Sequence, residues 1–113
     1  MHALPVARFE ELVGEALDSL PEELGRLMDN VWVTVEDDSP EGLLGLYDGV
    51  PLTEREAYGG MVLPDRITIY RLPICEMSRD DEEVVENVRE TVIHEVAHHF
   101  GIDDDRLEEL GWD

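Results

Sequence analysis

Near the start of the chain apolar positions recur every three or four residues. Phe9, Leu12, Val13, Ala16, Leu17 and Leu20 fall on one stripe, which predicts an amphipathic helix over residues 6–19. Pro21 suits the first turn of a second, short helix, with Leu24, Leu27 and Met28 turned inward and Asp29-Asn30 ending it. The period then changes to two. Val31, Val33 and Val35 alternate with Trp32 and Thr34, the pattern of a half-buried strand. A loop with Asp37, Asp38 and Pro40 leads to a second strand over residues 43–47, where Gly42 and Gly45 mark sites of close backbone approach. Residues 48–65 hold Pro51, Gly59, Gly60 and Pro64 and read as a long surface loop. A third strand over residues 67–70 is closed off by Pro73. Helical spacing returns over residues 80–100. Ser78 is the expected N-cap, the acids Asp80, Asp81, Glu82 and Glu83 complement the dipole of the first turn, and Gly101 is a natural stop. A last short helix is expected over residues 104–110.

Composition narrows the classes of partner. The 113 residues form a single expected domain with a modest core. Asp and Glu number 29 against eight Arg and no Lys, for a formal charge of −21. Such a surface repels phosphate backbones, so nucleic acid and anionic membrane are excluded as partners, while basic or neutral peptides and divalent cations are favoured. No run approaches transmembrane length, and the early Glu10 and Glu11 speak against a secretory leader; the cytoplasm is the expected compartment. Cys75 is the only cysteine, which forbids an intramolecular disulfide, and it reads as a small buried hydrophobe after Pro73 and Ile74.

The chemistry is concentrated in residues 94–104. The string His94-Glu95-Val96-Ala97-His98 places two imidazoles four residues apart. On a helix they lie about 40° apart on one face, where both can reach one metal ion. Glu95 points about 100° away from His94, the place for a general base acting on water at that metal. Val85, Val92 and Val96 fall on the opposite side and predict the core face, leaving the histidine face to line a cleft. Gly101 can turn the chain back sharply, and Asp104, three residues on, stands where a returning chain offers a third ligand. Asp104 also lies in a run of three Asp at a helix start, which capping alone would explain. His99 points about 140° from His94 and reads as a packed residue or a support for the site rather than a ligand. Tyr47, Tyr58 and Tyr70 could each serve an oxyanion or the packing, and none is assigned.

The full pattern, His94-Glu95-x-x-His98-x-x-Gly101-x-x-Asp104, resembles the extended metzincin signature with Asp in place of the third His. The chain as a whole resembles the bacterial minimal zincins, a family of small zinc metallopeptidases. The resemblance runs through Asn30-Val31, Gly42-Leu43-Leu44-Gly45-Leu46-Tyr47, Pro64-Asp65-Arg66-Ile67, Tyr70-Arg71 and Leu110-Gly111-Trp112. It implies an α+β fold in which a small sheet of three or four strands packs on the active-site helix, with two or three further helices. It implies Zn2+ held by His94, His98 and Asp104, with Glu95 as the catalytic glutamate. Larger metzincins carry a methionine turn after the motif, whereas Met1, Met28, Met61 and Met77 all precede it here. Twelve residues follow Gly101, so no lower wall of a cleft is expected. Two functions follow: a zinc-dependent peptidase acting on peptide or protein substrates, with residues 67–70 as an edge strand for an extended substrate, or a metal-stabilised binding module without catalysis. A peptidase completed by an unidentified partner protein, contacted through residues 48–65, is a third.

Overall fold

The computed structural model describes residues 3–22, 25, 28, 31–39, 41–49, 65–102, 105 and 109. Helix α1 (Val6–Asp18) forms as the periodicity requires and buries Phe9, Leu12, Val13 and Ala16. Beyond it, the Gly25 amide donates to the Pro21 carbonyl and Met28 packs against the core, in keeping with a helical turn there. Leu24 and Leu27 lie outside the described residues.

Three strands follow: β1 (Val31–Glu36), β2 (Gly45–Asp48) and β3 (Asp65–Tyr70). They form one mixed sheet in the order β1-β3-β2, with β1 parallel and β2 antiparallel to β3. Register places Val33, Ile67 and Tyr47 side by side, and likewise Val35, Ile69 and Gly45. Because side chains alternate along a strand, these residues share one face. Trp32, Thr34, Arg66 and Leu46 belong to the other face and are exposed, while Thr68 at its centre is buried.

This order overturns one expectation. Residues 67–70 were to be an edge strand, but β3 is the central one, paired on both sides. Its burial fits: Ile67, Thr68, Ile69 and Tyr70 are all buried, as for a strand with neighbours on each flank. The strand that lies at the edge beside the histidine helix is β2.

The chain passes directly from Tyr70 into helix α2 (Arg71–Met77), where the sequence suggested only an end to the strand. Pro73 is tolerated because it stands in the first turn, whose amides have no partner within the helix. Ile74 and Cys75 are fully buried in the core, as expected for Cys75. Arg71 ties three segments together: its Nε donates to Asp37 Oδ1 at 2.9 Å and its Nη1 to the Leu4 carbonyl at 2.7 Å. This bond holds the Asp37 carboxyl below the usual carboxylate range.

Helix α3 (Asp81–His99) lies over the sheet and carries Val84, Val88, Val92 and Val96 into the same core as α1 and β3. Val85, expected on that face, is 41% exposed. The core face is therefore rotated from the side opposite His94 toward the flank on which Glu95 and His99 lie. No helix among the described residues is long and apolar enough to cross a membrane.

Candidate metal centre and active site

Helix α3 is fixed at both ends. Its N-cap is Asp80, whose Oδ1 accepts from the Glu83 amide at 2.9 Å. Ser78, the expected cap, is buried: its Oγ donates to the Ile74 carbonyl at 2.7 Å and accepts from Asn87 Nδ2 at 2.9 Å. It joins α2 to α3 rather than opening α3. At the other end Gly101 has φ of 77°, its amide donates to the His98 carbonyl, and the Ile102 amide reaches the Ala97 carbonyl. This pair of bonds is a Schellman turn, which needs a left-handed residue at the glycine position.

Between these ends the helix brings His94 and His98 together, ring centroids 4.8 Å apart and planes at 63°. Two imidazoles this close could each offer a ring nitrogen to one metal ion. Two nitrogen donors of this kind suit zinc. The third expected ligand, Asp104, lies outside the described residues, and among the described residues no group of three or more His, Cys, Asp or Glu is placed to hold a metal.

Glu95 is 8% exposed and sits under the edge strand. A Cβ on Gly45 would come within 2.9 Å of Thr91 Cγ2 and 3.0 Å of Glu95 Cγ. The glycine therefore lets β2 lie directly on the helix at the glutamate, the close approach that its place in a strand suggested. Gly42 has a different reason: its φ is 72° and a Cβ there would meet nothing within 4 Å.

The structure adds a buried polar cluster whose members the sequence did not bring together. His99 and Asp65 are 0% and 1% exposed, and His99 Nδ1 lies 2.6 Å from Asp65 Oδ2. An ionised carboxylate only accepts, so the imidazole donates. Tyr47 donates its hydroxyl to the same oxygen at 2.7 Å. The Asp65 carboxylate also lies against the Gly49 backbone, where a Cβ would fall 2.5 Å from it. One carboxylate at the start of β3 thus fastens the end of α3, next to His98, and the edge strand β2. His99 is a packed support, as its angle on the helix implied, and Tyr47 is turned to Asp65. Tyr70 is buried, and Tyr58 lies outside the described residues.

Residues 22–112 match the model of a protein family described as zincin-like metallopeptidase. The chain belongs to that family. No curated protein matches the sequence. The α+β architecture is that of a minimal zincin: a three-stranded mixed sheet packed against the helix that carries the paired histidines, with further helices around it.

Proposed function

We propose that this zincin-like chain is a zinc-dependent peptidase. The observation that carries the reading is the convergence of His94 and His98 on one helix face with Glu95 tucked between that helix and the edge strand. His94, His98 and Asp104 would hold the metal. When bound, zinc supplies the Lewis acidity that makes water acidic near neutral pH and polarises a carbonyl. Glu95 takes the proton of the attacking water on its carboxylate and later delivers it to the leaving amine. Its burial keeps that carboxylate in one place, and Gly45 keeps the strand above it from pushing it aside. Among the described residues nothing pairs with the outer edge of β2, so an extended substrate can add there as a further strand and pass over Glu95. The acidic surface favours neutral or basic substrates.

Zinc stoichiometry and affinity, measured for the wild type, His94→Ala and Asp104→Ala, test the site. One zinc per chain, weakened by Asp104→Ala and lost in His94→Ala, is expected. Glu95→Gln should keep the zinc and abolish cleavage of a peptide library. Cleavage that survives Glu95→Gln would rule out the mechanism. Bound zinc with no library peptide cleaved by the wild type would favour a metal-stabilised binding module, and absence of zinc at neutral pH would exclude both.

A further inference from the structure

The buried cluster of Tyr47, Asp65 and His99 takes no part in the proton transfers assigned to Glu95, yet it adjoins the candidate site on two sides. His99 directly follows His98 in the last turn of α3. Tyr47 stands two residues from Gly45 and so on the same face of β2, and Gly45 is the residue that lies on Glu95. Both side chains end on one oxygen. Asp65 Oδ2 is 2.6 Å from His99 Nδ1 and 2.7 Å from the Tyr47 hydroxyl.

Stability alone does not call for this arrangement. Asp65 and His99 are fully buried, and apolar side chains of similar volume often stabilise a buried site as well as a charged, hydrogen-bonded group does. What the cluster adds is direction. Val96 and Phe100 also hold the last turn of α3, but through apolar contacts, which resist separation from the core more than rotation about the helix axis. A hydrogen bond has a preferred length and angle, so the bond from His99 fixes that rotation. The Schellman turn at Gly101 closes the helix on its own carbonyls. His94 lies a full turn further into the helix, whereas His98 sits in the final turn, where helices fray first. The place of His98 beside His94 is what attachment of one ion to both rings requires.

We propose that Asp65 is a positioning residue for the metal site: through His99 it holds the last turn of α3 in the rotation that keeps the His98 imidazole beside that of His94. The proposal rests on the zinc site of the peptidase reading and not on cleavage. The bond from Tyr47 to the same oxygen serves β2, and the affinity for zinc does not depend on it.

The test is the zinc affinity of the full chain at neutral pH, measured by competition with a chromophoric chelator, with circular dichroism to show that each variant is folded. A loss of stability does not by itself move this readout. Apparent affinity falls only by the fraction of molecules competent to bind, which stays near one while the chain is folded. Asp65→Ala should weaken zinc at least about tenfold, the usual effect of removing a support behind a metal ligand. Asp65→Asn keeps an oxygen that can accept both bonds. A neutral acceptor has about half the strength of an ionised one, so this variant should bind zinc about threefold more tightly than Asp65→Ala. His99→Phe keeps a ring beside Tyr47 and Phe100 but has no N–H. It should weaken zinc as Asp65→Ala does, and it carries the test if Asp65→Ala does not fold. Tyr47→Phe should bind zinc as the wild type does. Ile74→Ala is the control for stability: Ile74 is fully buried in α2, which meets α3 through Ser78 and Asn87, about three turns before His98. It should lower the melting temperature and leave zinc affinity unchanged. Wild-type affinity in Asp65→Ala and His99→Phe, no recovery in Asp65→Asn, or an equal loss in Tyr47→Phe or Ile74→Ala would each overturn the proposal. Zinc held equally by every variant overturns only the role of Asp65, whereas a wild type that binds no zinc overturns the metal site and this proposal with it, so the two failures are separate results.

Discussion

Asp65 is buried and receives hydrogen bonds from Tyr47 and from His99, residues that stand on different elements. Removing its carboxylate takes away the acceptor shared by the buried His99 and the half-buried Tyr47. Hydrogen bonds to a charged group are worth about 1–3 kcal/mol each, so Asp65→Ala should lower the unfolding free energy by about 2–5 kcal/mol. Tyr47→Phe removes one donor and leaves the carboxylate bonded to His99, so its cost should be about 1 kcal/mol. Urea unfolding of the two variants checks both, and equal losses would mean that the two bonds do not act through a common acceptor. The segment Pro64-Asp65-Arg66-Ile67 carries part of the family resemblance, but nothing local in the sequence gives Asp65 its role. Its partners are 18 and 34 residues away, and it is one of 29 acids, at the end of a stretch rich in Pro and Gly. The histidines and Glu95 were legible for the opposite reason: a single helix repeat places them, and no tertiary contact is needed to relate them.

At the scale of elements, legibility followed periodicity. Helix α1, strand β1 and the body of α3 were evident from repeats of 3.6 and two, because one face of each is buried and the other is wet. Helix α2 was not, since Arg71–Met77 is too short to show a repeat and contains a proline whose place in the first turn only the structure reveals. The place of β3 in the sheet was misjudged because a run of four residues carries no information about which neighbours it has. Caps show the same division. Gly101 needs a left-handed backbone and so could be read from the sequence, whereas Ser78 and Asp80 are both good caps, and packing against α2 decides between them. The glycine position yields a prediction for the element. Gly101→Ala places a side chain at φ of 77° and should cost about 1–2 kcal/mol. Thermal unfolding measures the loss. An unchanged midpoint would show that the turn after His98 relaxes without penalty.

For the molecule as a whole the dominant feature is a charge of −21 on 113 residues. Among the described residues, several arginines are seen to compensate it. Arg8 pairs with Glu11, Arg71 with Asp37 and Arg79 with Glu83, and two of these three pairs are largely exposed and worth little. Compaction brings like charges together, so self-repulsion should lower stability in dilute buffer and be screened by salt. The melting temperature should therefore rise with sodium chloride, by about 4 °C or more for each kcal/mol of repulsion relieved. A melting temperature that falls with salt would mean that ion pairs outweigh repulsion. Zinc offers an internal contrast, because it acts by binding rather than by screening. At 100 times its dissociation constant a ligand of the folded state adds about 2.7 kcal/mol. That gain should appear at zinc concentrations far too low to screen and should vanish in His94→Ala, while the response to sodium chloride stays the same in both proteins. A zinc effect that persists in His94→Ala would assign it to the acidic surface and not to the paired histidines.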